Sequence, residues 1–168
     1  MISKLQPDVA PKCSDSRVAV DFWKSAVAAL PKSNLATEGF WVLLLDGERR
    51  LIGAHRVSSK AFGDAQRFTA ELFTSDYLRG VPEFLLVHNR PGIPPKAGTD
   101  DIGRVRAVIL TGRAKKTELL DCLIVGEPDG GKFWTGVFSF HRLRGFSAPE
   151  PFTRPRKRTG TKVKEATP

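Results

Sequence analysis

His88 and Asp101 are the residues in this sequence best placed to do chemistry together. They stand at the two ends of one stretch, Val87-His88-Asn89-Arg90-Pro91-Gly92-Ile93-Pro94-Pro95-Lys96-Ala97-Gly98-Thr99-Asp100-Asp101. An imidazole at the entrance of a Pro/Gly-rich loop and a carboxylate at its exit can converge on one point, and strand-to-helix loops are where function tends to sit in α/β folds. Arg90 lies between them. Its guanidinium stays protonated at any physiological pH and has no lone pair to offer. Each residue also has a plain structural role open to it. His88 can be a core histidine or a strand-end hydrogen-bonder, and Asp101 in a first helical turn complements the helix dipole.

The elements that must position this pair follow from periodicity. Phe84-Leu85-Leu86-Val87 is a short apolar run, read as a buried strand from Glu83 that delivers His88 into the loop. Thr99 is a plausible N-cap for a helix to about Lys116 with apolar positions Ile102, Val105 and Ile109, although Gly112 weakens its last turns. Upstream, Ser14-Asp15-Ser16 offers caps for a helix from about Arg17 to Leu30, with Val20, Trp23, Val27 and Leu30 as its stripe and Pro31 as its stop. Phe40–Leu45 is apolar throughout, as expected of a strand covered on both faces. Asp46-Gly47 turns the chain, and Arg50–Val57 returns as a hairpin arm. A helical pattern with Ala65, Phe68, Leu72 and Phe73 on one side runs from Asp64 to about Arg79 and stops at Gly80. Leu119–Val125 and Phe133–Phe140 are strands around the turn Pro128-Asp129-Gly130-Gly131. Trp23, Trp41 and Trp134 fall at apolar positions and read as core. The order αββαβαββ predicts an α/β fold with a mixed sheet flanked by helices.

The central stretch resembles the RadC-like JAB domains of the JAMM (MPN+) metallopeptidase superfamily, which carry His-x-His-x7-Ser-x2-Asp here and a Glu at the start of an earlier strand. His88 and Asp101 fall on the first His and the Asp. Arg90 stands at the second His and Gly98 at the Ser. Glu38 matches the upstream Glu, because Glu38-Gly39-Phe40-Trp41-Val42-Leu43-Leu44-Leu45-Asp46 is similar to the family's Glu-x-Phe-x-Val-Leu-x-Leu-Asp. Leu51-Ile52 leading to Val57-Ser58-Ser59 also resembles it, as does Leu120-Asp121-Cys122-Leu123-Ile124-Val125-Gly126, where the family has Leu-Asp-His and this chain has Cys122. The resemblance covers roughly residues 17–146 and implies the JAB/MPN (cytidine-deaminase-like) fold. In the family the two His and the Asp bind zinc, and the Glu handles the proton of a zinc-bound water in peptide or isopeptide hydrolysis.

A hydrolytic zinc takes three protein ligands and leaves a fourth position for water. Under the resemblance this chain keeps His88 and Asp101 as ligand positions and Glu38 as the general base, but Arg90 removes a ligand. Gly98 removes a hydroxyl that stabilises the tetrahedral intermediate, a loss of about 100-fold or more in rate. The simplest expectation is that Arg90 takes the cation's place and pairs with Asp101 or Glu38, that zinc is absent or weakly bound, and that the chain is a non-catalytic module for an unidentified protein or peptide partner. An alternative is an atypical metallohydrolase that recruits Cys122, His55 or His141 beside His88 and Asp101. Taken without the resemblance, Cys122 reads as a small buried hydrophobe, Glu38 as a solvated residue, His55 as part of a hairpin strand and His141, among Arg142 and Arg144, as exposed.

Length and charge bound the rest. The 168 residues suffice for one domain, and 40% apolar with 27% charged is ordinary for a globular chain. No apolar run approaches the about 18 residues of a membrane span, the N-terminus lacks a signal peptide's apolar core, and two cysteines suggest reduced thiols, so a cytoplasmic protein without membrane contact is expected. Of the net charge of +9, residues 147–168 hold +4, from six basic and two acidic residues; the preceding 146 hold +5, from 21 and 16. The domain plan is thus a flexible arm at 1–13, a domain at 14–146 and a disordered Pro-rich tail at 147–168. That tail, through Arg154, Arg156, Lys157 and Arg158, could hold nucleic acid nonspecifically or serve only solubility. No helix-turn-helix, zinc-finger or ribonucleoprotein motif accompanies it.

Overall fold

A computed structural model describes residues 10–28, 37–57 and 63–126 and the backbone of 136–139. Its elements are helix α1 (Ser16–Ala28), strands β1 (Gly39–Leu45) and β2 (Leu51–Arg56), helix α2 (Ala65–Thr74), strand β3 (Glu83–Arg90), helix α3 (Thr99–Lys115) and strands β4 (Glu118–Gly126) and β5 (Gly136–Ser139). The order is the expected αββαβαββ, an α/β fold. Leu30, Pro31, Ser58, Ser59, the 128–131 turn, Trp134, His141 and the tail with Arg154, Arg156, Lys157 and Arg158 lie outside the described residues, as do the ends of the strand expected at Phe133–Phe140.

The five strands form one mixed sheet in the order β2-β1-β3-β4-β5. β1 runs antiparallel to both β2 and β3, β3 and β4 are parallel, and β5 is antiparallel to β4. A parallel pair needs a crossover, and α3 supplies it. The side-chain period of two divides the core. Trp41, Leu43, Leu45, Leu85, Val87 and Leu123 face α1, packing on Val20, Trp23 and Val27. Phe40, Val42, Leu44, Phe84, Leu86 and Cys122 face the other side, packing on Phe68 and Leu72 of α2 and Val105 and Val108 of α3. β1 is buried along its whole length, which is why it carries no polar residue.

Four expectations need correction. β3 does not stop at Val87. It is paired on both sides as far as Asn89 with β1 and Arg90 with β4, so His88 and Arg90 belong to the strand and the loop begins after them. The helix expected to reach Arg79 ends at Thr74. The hydroxyls of Thr74 and Ser75 donate back to the carbonyls of Ala70 and Glu71, at 2.9 and 2.5 Å, and the chain continues as a single 3-10 turn, Asp76–Leu78, closed by left-handed Gly80. Thr99 is not the N-cap of α3; Gly98 is. The buried face of α3 is Asp101, Arg104, Val105, Val108 and Gly112, leaving Ile102 exposed.

Two glycines mark close approaches. A side chain at Gly112 would run into the carbonyl of Thr117, where the chain leaves α3 through left-handed Lys116, so this glycine sustains the last turn. A side chain at Gly126 would run into the carbonyl of Ile93, so the end of β4 is flattened to let the 91–98 loop lie across it.

Candidate functional site

The spacing of β3 puts His88 and Arg90 on one face, and the pairing of His88 with Phe40 brings the start of β1, preceded by Glu38, beside them. α3 enters from the loop with Asp101 in its first turn. Glu38, His88, Arg90 and Asp101 are thereby gathered at one end of the sheet, and Gly98 joins them through its backbone. His88 and Asp101 are buried, 2% and 3% exposed, while Arg90 is 19% and Glu38 53% exposed. The cluster thus has a buried base, His88 and Asp101, and a more exposed rim, Arg90 and Glu38.

Asp101 is the hub. Its Oδ2 accepts from the Gly98 N–H and from Nη2 of Arg90, both at 2.8 Å. Its Oδ1 lies 3.2 Å from Nδ1 of His88 and 3.3 Å from Nη1 of Arg104. A carboxylate offers about four lone-pair positions, and four donors face this one. The Gly98 contact is half of a capping box: the carboxylate reaches back to the N-cap N–H, with no side chain to answer it.

His88 is engaged at both ring nitrogens, Nε2 being 2.6 Å from Oε1 of Glu38. Both contacts are hydrogen bonds together only when the ring carries both protons. Its face stacks on Phe40, with centroids 3.9 Å apart, and the Arg104 guanidinium lies 4.7 Å from the same Phe40 ring and 5.5 Å from that of Phe68. Arg90 is a clip. Besides Asp101 it donates from Nη1 to the Lys96 carbonyl at 2.7 Å, and its Nε lies 3.6 Å from Oε1 of Glu38, so one side chain ties strand, loop and helix.

Arg104, Phe40 and Asn89 escaped the sequence reading. Arg104 carried a signal, since it stands three residues after Asp101 and one before Val105, but a charge at that position reads as solvent-facing. Asn89 points away from His88 and accepts from the indole N–H of Trp41 at 3.0 Å, while its amide donates to the Thr37 carbonyl at 2.9 Å. Together with Arg56, which donates to the Thr37 hydroxyl at 2.8 Å, it fixes the backbone just before Glu38.

The outlying ligand candidates are placed differently. His55 stacks on Tyr77, centroids 4.9 Å apart. Cys122 is buried on the α3 side of the sheet, and burial, with the neighbouring carboxylates of Asp121 and Asp101, drives its thiol well above the ordinary value. Cys13 is similar, pushed up to about 12 chiefly by burial. Both thiols are thus held protonated in the metal-free chain.

Burial alone would raise the pKa of Asp101, but hydrogen bonds from His88 and Gly98 and the charge of Arg90 overcome it and hold the carboxyl well below its ordinary value of 3.8. A depressed carboxylate lends stability that is complete above its unfolded pKa and is lost as pH falls towards the folded one. Urea midpoints should therefore fall between pH 5 and pH 2, and Asp101→Asn, measured in parallel, should flatten that slope. Equal slopes would contradict the placement of the charge.

A family model for the RadC-like JAB domain matches residues 14–144. Among curated proteins, UPF0758 protein tlr1707 of Thermosynechococcus vestitus is 29% identical over 105 residues, 62% of this chain and 42% of that protein. A UPF0758 protein of Desulforudis audaxviator is 28% identical over 90 residues, and one of Pelobacter propionicus 31% over 90, each match covering 54% of this chain and 39% of the relative. The chain thus spans about two fifths of the length of these relatives.

Proposed function

The chain belongs to the RadC-like JAB domain family, and from that premise we propose that it is a non-catalytic member, a binding or structural module whose pocket carries its own cation. The observation that supports this reading is the saturation of Asp101. One of its lone pairs is taken by Arg90 at 2.8 Å, from the position where the family has a second His. A zinc ion would have to displace that guanidinium and free a nitrogen of His88 that faces a carboxylate on either side. Oε1 of Glu38 likewise lies 2.6 Å from Nε2 of His88, a contact that competes with any role as base. The donor set present does not fit a hydrolytic zinc.

Recruitment of another ligand is the competing reading. Among the described residues nothing favours it: Cys122 is held as a thiol and His55 is stacked on Tyr77.

The test is metal content. Protein purified without added metal is expected to hold far less than one zinc per chain and to compete poorly with a chromophoric chelator in titration. One tightly held zinc per chain would overturn the proposal.

A further inference from the structure

We propose that the cleft between α2 and α3 is a docking groove for an acidic amphipathic helix of a partner protein. This goes beyond the reading of the chain as a non-catalytic module and uses residues of α3 other than those that hold the cluster around Asp101. Two cavities make up the groove. The first, of about 390 Å³, is mostly apolar and lies between Ala70 and Phe73 of α2 and Ala107, Leu110 and Thr111 of α3. The second, of about 300 Å³, is more polar and is lined by Ser75, Arg79 and Thr117. Phe73, Thr74 and Lys115 line both, so the two adjoin, apolar along the helices and basic at one end.

The floor of the groove is fixed. The Phe73 ring meets Phe84 edge-on, with centroids 6.0 Å apart, and lies against Gly112, where a side chain would stand 3.4 Å from it. The α2 wall spends its hydroxyls internally: Thr69 and Thr74 donate to the carbonyls of Ala65 and Ala70, at 2.7 and 2.9 Å. On the other wall Leu110 is 67% exposed, more than any other large apolar side chain among the described residues. An exposed leucine alone is ordinary. One that overhangs an apolar cleft with a rigid floor is where the apolar stripe of a partner helix gains most.

Shape and charge together select the occupant. Ala70, Thr74, Leu110 and Lys115 are all exposed, so the cleft is open along its length, whereas a small-molecule site encloses most of its ligand. A helix laid into the groove between two others covers such a cleft. The chain carries a net charge of +9, which repels a second copy of itself and attracts an acidic partner. Among the described residues no carboxylate pairs with Lys115. The pair of Arg79 with Asp76 is exposed at both ends and worth little, so Arg79 can turn to a new carboxylate. The partner helix therefore carries acidic residues beside its apolar stripe, facing these two cations.

The experiment titrates the full chain into a fluorescein-labelled, amidated peptide with leucine at i, i+3, i+4 and i+7 and glutamate or alanine elsewhere, followed by anisotropy. A second peptide has lysine for every glutamate, and a third has alanine for every leucine. The wild-type chain is expected to bind the acidic peptide saturably and at least tenfold more tightly than either of the others. Leu110→Asp should lower that affinity at least tenfold. Lys115→Glu combined with Arg79→Glu should reverse the preference, so that the lysine peptide binds more tightly. All three side chains are exposed, so the variants are expected to fold; Leu110→Ser is the milder substitute should the aspartate variant not. Absence of saturable binding, equal binding of the lysine peptide, or affinity unchanged by the Leu110 substitutions overturns the proposal. Sedimentation of the wild-type chain as a dimer that Leu110→Asp dissociates also overturns it, since a second copy would then fill the groove. None of these outcomes bears on zinc content, on which the preceding proposal stands or falls.

Discussion

Replacing Arg90 by histidine is expected to raise zinc affinity by about a thousandfold or more. Two effects add. The substitution restores an imidazole two residues from His88 on the same face of β3, and it removes a guanidinium that sits against the carboxylate a metal would use. A unit charge about 4 Å from a divalent ion repels it by roughly 8 kcal/mol at an effective dielectric of about 20, and even half of that, after relaxation, is about a thousandfold in affinity. Gly98→Ser completes the family pattern and fits the space. Its backbone is extended, and a side chain there meets nothing nearer than Oδ2 of Asp101 at 3.6 Å. As the N-cap of α3, the position favours serine intrinsically. The double variant should therefore be as stable as the single one. Zinc titration of both against wild type checks the expectation, and a failure to gain affinity would mean that something other than Arg90 closes the site.

The second large effect concerns stability. Asp101→Ala should destabilise the fold by about 3–5 kcal/mol, because removing one member of a buried ionic cluster strands the others. Arg104 would remain against Phe40 and Phe68 without its carboxylate, Arg90 would lose one of its two anchors on the loop and helix, and the Gly98 N–H would lose its acceptor. Glu38→Ala should cost clearly less, since Glu38 is 53% exposed and meets the cluster through one oxygen only. Urea unfolding of the two variants checks the contrast. Adding Arg104→Leu to Asp101→Ala should recover part of the loss, as expected when an apolar side chain replaces a buried charge that has lost its carboxylate at 3.3 Å.

Sequence was a good guide to the fold where one periodicity acted alone. β1, apolar in every position but Gly39, and α1, with Val20, Trp23 and Val27 at helical spacing, could be read directly. It was a poor guide where tertiary pairing or polar burial decided the outcome. Nothing local in His88-Asn89-Arg90 says that the strand continues; two neighbouring strands extend it. On α3 the buried stripe includes Asp101 and Arg104, so the apolar pattern slid to Ile102, which faces solvent. Family spacing located Glu38, His88, Arg90, Gly98 and Asp101, and the structure gathers them at one end of the sheet. It did not locate Arg104, since a buried arginine is legible only together with the carboxylate and rings that hold it.

The hydrogen-bonded series from Trp41 through Asn89 to Thr37 gives the protein an intrinsic optical gauge of its own pocket. The indole of Trp41 lies on the opposite side of the sheet from His88, out of reach of any ligand, yet its N–H is tied to the amide that holds the residue before Glu38. Movement of that strand start is expected to alter the polarity around the Trp41 indole, whose ring meets Trp23 edge-on at 6.5 Å, and so to shift the emission of a variant in which the other tryptophans are replaced by phenylalanine.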